Sequence, residues 1–500
     1  MSFSFSFSAL AIVAIAPVLA TTSLAQQRDT PTGAAIDSVM SALNSLDLSP
    51  GVGVVVVRDT EIIYMKGFGM ADVASHRPFT PETVFYIAST TKSFTGLAAA
   101  ILDTQGKFRL DAPLSRYLPN VKLHEPLNPD SITIRSLLTH THGIANAGPV
   151  VIRLAYTGEY KDDAELVRLL AEHGPARTGR AYSYGNLGYN VAALAMDAST
   201  GESWKRTLER LLFKPLGMTK TSAYVSKFSR SQLATPYALS LTGWQELPYG
   251  KFDANMQSAG GLVTTLRDMG TWLEVHINNG KLNGKQILPA SAVIESHKNL
   301  AQTDAATHGG RNIGYGLGWR LVVTGGDTVL SHGGGFPGFS TFMSFVPARK
   351  IGVAVMANNG DFGAPLAEIA TERIYNVLTN GAMYPGDSMV AIRSLIARAR
   401  EGMTADMKRR AARPQNLPYP LDAYTGTFEN PLYGRLIISL VNGKLAAKMG
   451  VATSAIEVYD NTKNRLRIEI FGEGDIVDVE MKDGRAEAMI FEGDRYVRVR

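Results

Sequence analysis

Phe85-Tyr-Ile-Ala-Ser-Thr-Thr-Lys92 runs without a break into a segment, Lys92 to Gln105, whose Leu97, Ala98, Ile101 and Leu102 share one face before Gly106 ends it. The spacing predicts a helix that starts at a serine and carries a lysine on its first turn. Residues three apart on a helix lie on one face, so the Ser89 hydroxyl and the Lys92 amine would point together. A serine hydroxyl is a weak nucleophile until a neighbouring base takes its proton. A lysine can act as that base when burial disfavours its cation. The bare Ser89-Thr-Thr-Lys92 tetrapeptide also fits a helix N-cap followed by a surface lysine, so the rest of the chain has to decide.

Upstream, Ile36, Val39, Met40, Leu43 and Leu46 recur at helical spacing over Ala34 to Leu46. Gly51 to Val57 and Glu61 to Met65 are β-branched and apolar runs around Arg58-Asp-Thr60, a hairpin pattern. Downstream, Asp163 to Glu172, Tyr189 to Ser199, Trp204 to Leu212 and Leu266 to Asn278 have helical periodicity. Strand character returns at Tyr315 to Val323, Phe339 to Val346 and Ile351 to Ala357, and Leu366 to Leu378 is again helical. Early strands, a helical middle and late strands imply one antiparallel sheet closed by both ends of the domain, an α+β class. A helix over Ser388 to Met407 then leads to 409–420, rich in arginine and proline, which marks a linker. From 421 to 500 the short strands, with Asn442-Gly443 and Asp483-Gly484 between them, predict a separate small all-β barrel or sandwich.

Two more elements complete a set. Tyr184-Gly-Asn186 stands just before a helix, where a tyrosine beside an ammonium group can be drawn toward phenolate and a side-chain amide can orient the lysine or a substrate. His332-Gly-Gly-Gly335 lies in a predicted strand edge, where glycines let a substrate approach the backbone and a main-chain N–H can help form an oxyanion hole.

In this order, S-x-x-K, Y-x-N and H-x-G, the sequence resembles the serine β-lactamase and penicillin-binding-protein superfamily. The likeness is to its class C β-lactamase branch, with its D-amino-acid peptidases, carboxypeptidases and esterases. Ile134-Arg-Ser-Leu-Leu-Thr-His140, Pro215-Leu-Gly-Met-Thr219, Ala259-Gly-Gly-Leu262 and Tyr315-Gly-Leu-Gly-Trp319 carry it across most of the chain. The resemblance implies a β-lactamase/transpeptidase-like domain over 26–408, with Ser89 as acylated nucleophile and Lys92 and Tyr184 sharing the base role. It implies an oxyanion hole from the N–H groups of Ser89 and Gly335, and substrate contacts from Asn186, His332, Gly333 and Gly334. No metal or organic cofactor is expected. The expected substrate is a small peptide, amide or ester, a short or D-residue-containing peptide first. A carboxylesterase or weak β-lactamase using the same site is the alternative, and a non-catalytic penicillin-binding-like sensor the alternative of another class. The 421–500 segment resembles the lipocalin-like module of some members. Where classical β-lactamases carry K-T-G, this chain has His332-Gly333-Gly334, which removes the usual grip on a substrate carboxylate and predicts poor use of β-lactams. The His140-Thr-His142 pair has no neighbouring ligand pattern and reads as structural.

Composition agrees with this. The 500 residues are 45% hydrophobic, with 50 basic and 45 acidic side chains spread along the chain, which gives no support to a nucleic-acid partner. With no cysteine, disulfides, thiolate zinc sites and a cysteine nucleophile are excluded. Residues 1–25 combine the apolar run Ala9 to Ala20 with Ser23-Leu-Ala25, a secretory signal pattern that predicts a periplasmic or secreted protein. No segment is long enough for a stable membrane span.

Overall fold

The computed structural model describes residues 30–499 apart from 147, 160–162, 173, 241–242, 248–249, 308, 385–387, 471–473 and 492. The expected signal segment lies outside the described residues. Helix α1 (Pro31–Asn44) is capped by the Thr30 side chain and buries Ile36, Met40 and Leu43. Strands β1 (Gly51–Arg58) and β2 (Glu61–Asp72) form the expected hairpin, and β3 (Arg77–Pro78) adds to its edge. Helix α2 (Thr91–Thr104) is buried along nearly its whole length, with Phe94 stacked on Trp272 at 3.7 Å between ring centroids. Helices α3 (Leu187–Thr200) and α4 (Leu266–Ile277) pack around it.

Six late strands follow: β4 (Ala301–Thr307), β5 (Gly310–Tyr315), β6 (Arg320–Thr324), β7 (Asp327–Phe336), β8 (Phe339–Val346) and β9 (Ile351–Ala357). The sheet runs β4-β5-β6-β7-β8-β9-β1-β2-β3, so the first and last strands of the domain meet at β1 and β9, as the pattern predicted. Each pairing between these neighbours is antiparallel. One face of the sheet covers α2 and α4, and the other holds α1 and α5 (Gly363–Thr379) in a second apolar cluster. The expected single strand over Tyr315 to Val323 is instead two. Gly318 has φ +88°, and a Cβ there would meet Ser93 backbone at 2.4 Å, so the chain turns sharply against α2 before β6 begins.

Helix α6 (Ser388–Ala411) extends into the predicted linker, so its first three residues are helical. Beyond it, nine strands between Gly426 and Arg498 form one antiparallel sheet around a separate core of Tyr424, Phe428, Leu436, Met489 and Tyr496. Its two end strands, Ala452–Ala455 and Glu457–Asp460, are neighbours in sequence, which makes the unit a nearly closed barrel. The barrel docks on the main body along 153–159, which overlaps the π-helical turn Ile152–Thr157. Val451 N–H donates to the Thr157 carbonyl at 3.0 Å, Arg153 to the Leu432 carbonyl at 3.2 Å, and Arg435 N–H to Glu159 Oε2 at 3.0 Å. Among the described residues no helix is long and apolar enough to cross a membrane.

Candidate active site

Ser89 sits in a 3-10 turn, Ala88–Thr90, between a short strand (Phe85–Tyr86) and α2. Ala88 has φ +46°, an unfavourable value for a residue with a Cβ, held by Ile87 N–H bonding the Leu262 carbonyl. That turn leaves Ser89 partly exposed while Lys92, one turn later, is fully buried. The Lys92 ammonium donates to Ser89 Oγ at 3.0 Å, Asn186 Oδ1 at 2.7 Å and the Ala259 carbonyl at 2.9 Å. These three bonds fix the amine beside the hydroxyl.

Tyr184 faces the same point from the loop before α3. Burial pushes its phenol up, but the Lys92 charge, hydrogen bonds to Lys92 and Ser89 and the Arg320 charge outweigh this and hold it below the usual tyrosine range. Burial likewise pulls the Lys92 amine below its usual value, opposed by Tyr184. A base and its conjugate partner brought toward each other in this way can pass one proton between them. Asn186 N–H is anchored by Asn146 Oδ1 at 2.9 Å, which keeps the amide aimed at Lys92.

The opposite wall is β7. The β6 ladder stops at Arg320↔Ser331, whereas β8 continues to pair through Phe336, so Gly333 to Gly335 have a partner strand on one side only. A Cβ on Gly334 would lie 2.3 Å from the Ile87 carbonyl and 3.2 Å from Ser89 N, so only glycine allows the strand this close to the nucleophile turn. Gly335 is exposed and would meet nothing within 4 Å. Between the walls is a cavity of about 260 Å³, lined by Ser89, Tyr184, Gly333, Gly334 and Gly335 among others.

His332 does not reach this cavity, contrary to the expectation that it contacts substrate. Its ring is buried, and His332 is not among the residues that line the cavity. There Nδ1 lies 2.6 Å from the Gly333 carbonyl, which can only accept, so Nδ1 carries the proton and Nε2 accepts from the Tyr315 hydroxyl at 3.0 Å. Burial, then Lys92 and Arg320, push its pKa well below the usual histidine value, so the ring is neutral. His140 is buried among the rings of Tyr182, Tyr184, Tyr189 and Tyr315, and its Nδ1 accepts from Gly185 N–H at 3.3 Å. His142 Nδ1 accepts from Ile144 N–H at 3.0 Å. Each histidine of the pair thus braces the loop that carries Tyr184 or its approach. Among the described residues no group of three or more His, Asp or Glu side chains is arranged to hold a metal ion.

Five lining residues were not expected at the site from the sequence: Thr341 and Phe342 on β8, Ala364 on α5, and the charged Arg320, at the start of β6, and Glu368, on α5. The Arg320 guanidinium lies 5.5 Å from the Tyr184 ring centroid.

The Beta-lactamase family profile matches residues 37–375. Protein flp of Staphylococcus aureus (strain COL) is 26% identical over 329 residues, 65% of this chain and 63% of that protein, so the chain spans under two thirds of that relative's length. Among solved structures, the octameric penicillin-binding protein homologue from Pyrococcus abyssi superposes with a TM-score of 0.60 at 21% identity, covering 93% of this chain and 99% of the other. The D-amino acid amidase from Ochrobactrum anthropi SV3 gives 0.60 at 22% identity, over 70% of this chain and 99% of the other.

Proposed function

The chain belongs to the Beta-lactamase family, and from that membership we propose that it is a serine hydrolase, a peptidase or amidase that works through an acyl-enzyme on Ser89. The observation that carries the proposal is the three-way hydrogen bonding of Lys92 to Ser89, Asn186 and Ala259 next to a Tyr184 phenol held below its usual pKa. Ser89 Oγ attacks the carbonyl carbon of the substrate as its proton passes into the Lys92 and Tyr184 pair. The N–H groups of Ser89 and Gly335 receive the developing oxyanion, a contact that the closeness of Gly334 to the nucleophile turn supports. Tyr184 returns the proton to the leaving amine as the C–N bond breaks, and water then hydrolyses the Ser89 ester by the reverse proton path.

Short peptides, including those with D-residues, are the proposed substrates. A cavity of about 260 Å³ is below the usual range for a drug-sized pocket and suits one residue on each side of the scissile bond. Steady-state kinetics on a panel of D- and L-dipeptides and aminoacyl p-nitroanilides tests this. Turnover of amides that disappears in Ser89→Ala is expected; turnover confined to simple esters would contradict the peptidase assignment.

A further inference from the structure

The loop that leads to the Asp253–Asn255 turn carries a lysine that none of the three motifs accounts for. Lys251 is half-buried, and its Nζ donates to the Ala155 carbonyl at 2.7 Å. The same nitrogen stands 3.5 Å from the Phe336 ring centroid and 4.7 Å from that of Tyr86. Those two rings meet edge-on with centroids 5.4 Å apart, and Tyr156 closes on Phe336 at 5.1 Å. Among the described residues no carboxylate forms an ion pair with Lys251. Glu246, which lines the same surface pocket, pairs with Arg230 at 2.8 Å. Burial pulls the amine well below the usual lysine value, and the ring faces and the carbonyl oppose this by favouring the ammonium form. An apolar side chain would fill this space without the cost of desolvating an amine.

The two rings stand at matching points of the chain. Tyr86 is three residues before Ser89, on the short strand that leads into the nucleophile turn, and Phe336 directly follows Gly335 on β7. We propose that Lys251 is the positioning residue of the oxyanion hole: its ammonium holds the Tyr86 and Phe336 rings together and so sets the spacing of the Ser89 and Gly335 N–H groups. This rests on the acyl-enzyme reading above and deepens it. Backbone bonds tie each donor to its own side, the Ser89 turn to the Leu262 carbonyl through Ile87 N–H and Phe336 to Phe339 in the β8 ladder. Gly334 permits the close approach but has no side chain with which to hold it. Phe85 and Tyr86 also pack on Phe339, which brings the β7–β8 hairpin near. Lys251 acts on the ring next to Gly335 itself. It does not line the cavity over Ser89, so it works through the rings and not on the substrate.

The test measures how well the hole holds oxygen. Phosphonylation by p-nitrophenyl ethyl methylphosphonate and by its P=S counterpart is followed on the full chain and on Lys251→Met, Lys251→Arg, Phe336→Leu and the Lys251→Met/Phe336→Leu double variant. In each reaction Ser89 Oγ bonds to phosphorus, p-nitrophenolate leaves with the electron pair of the broken P–O bond, and the Ser89 proton passes into the Lys92 and Tyr184 pair. N–H donors hold oxygen better than sulfur, and the intrinsic reactivity of the two probes cancels when variants are compared. Lys251→Met should lower the P=O rate by about ten- to a hundredfold and the P=O to P=S ratio with it. Lys251→Arg should recover part of both. The double variant should be little worse than Lys251→Met, because both changes break one contact. On aminoacyl p-nitroanilides the loss should fall in kcat, with KM nearly unchanged.

A lysine needed only for folding would slow both probes equally and leave the ratio intact. An unchanged ratio or an unchanged P=O rate in Lys251→Met, or additive losses in the double variant, overturns the positioning role and leaves the hydrolase reading standing. If Lys251→Met does not fold, Phe336→Leu, which removes the ring and keeps the charge, has to show the fall in ratio or the role is overturned. Absence of any Ser89 adduct in the wild type overturns both readings.

Discussion

The two walls of the cleft are built by different means. On the nucleophile wall, Ser89 and Lys92 are spaced by one helical turn, and Tyr184 and Asn186 by one loop, so within each pair the spacing is set locally and only the meeting of the two pairs at Lys92 is long-range. On the strand wall nothing local decides. Gly333 to Gly335 face the cavity because β6 stops at Arg320 while β8 runs on, and Arg320 reaches Tyr184 only through the register of the whole sheet. The difference teaches that the first wall depends on short-range spacing within a turn and a loop, and the second on the register of the sheet as a whole.

The largest effect should come from the first wall. Ser89→Ala removes the atom that forms the covalent bond, so kcat should fall by at least about a thousandfold while the thermal midpoint stays close to wild type. Lys92→Met and Tyr184→Phe should each cost about a hundredfold in acylation, measured in single-turnover bursts. If either acylates normally, the proton-sharing pair is misassigned. On the second wall, Gly334→Ala places a methyl 2.3 Å from the Ile87 carbonyl and displaces β7 from the nucleophile turn. A shift on the order of 1 Å in positioned groups costs about a hundredfold in rate. A fully active Gly334→Ala would show that the strand does not contribute to the oxyanion site.

A smaller and slower effect concerns both walls. His140, His142, His276 and His332 are buried and His297 is half-buried against His276, and desolvation depresses each pKa, to about 4 for His142 and about 3 for His297. In the unfolded chain each takes up a proton near pH 6.5. Folding therefore excludes protons below that pH, and stability is present above it and lost as pH falls, by about 1.4 kcal/mol per unit for each histidine that stays neutral. The unfolding midpoint should drop steeply between pH 6.5 and 5. A flat profile over that range would mean that these rings are solvated or paired in solution. The least change is expected on removing the barrel. All the cavity-lining residues precede it, and its hydrogen bonds reach the main body at Arg153, Thr157 and Glu159, none of which lines the cavity, so cleavage near Arg409 to Arg413 should leave the chemical step nearly intact. An inactive but folded fragment would show that the docked turn shapes the cleft.

Legibility in the sequence follows the same division. The α+β class, the meeting of β1 with β9 and the burial of α2 were readable because their periodicity is strong and continuous. Strand β4 was not, since Ala301-Gln-Thr-Asp-Ala-Ala-Thr307 is polar, mostly exposed and lacks alternation. The barrel's end strands, Ala452–Ala455 and Glu457–Asp460, are too short for their pattern to show. The placement of His332 was not readable, because alternation puts it on the face of Gly334, and it is the Tyr315 hydroxyl and the Gly333 carbonyl that hold its ring in a buried position. Arg320 could not have been. It follows the Tyr315-Gly-Leu-Gly-Trp319 landmark with no motif of its own, and its place in the cavity appears only when sheet register brings it over Tyr184.

The central claim, covalent catalysis at Ser89, is tested most directly by intact-mass spectrometry of the full chain after treatment with a serine-directed phosphonate, followed by peptide mapping. A single adduct on the peptide containing Ser89, absent in Ser89→Ala and much slower in Lys92→Met, is the predicted result. Labelling at another residue, or no adduct in a preparation that hydrolyses amides, would contradict it.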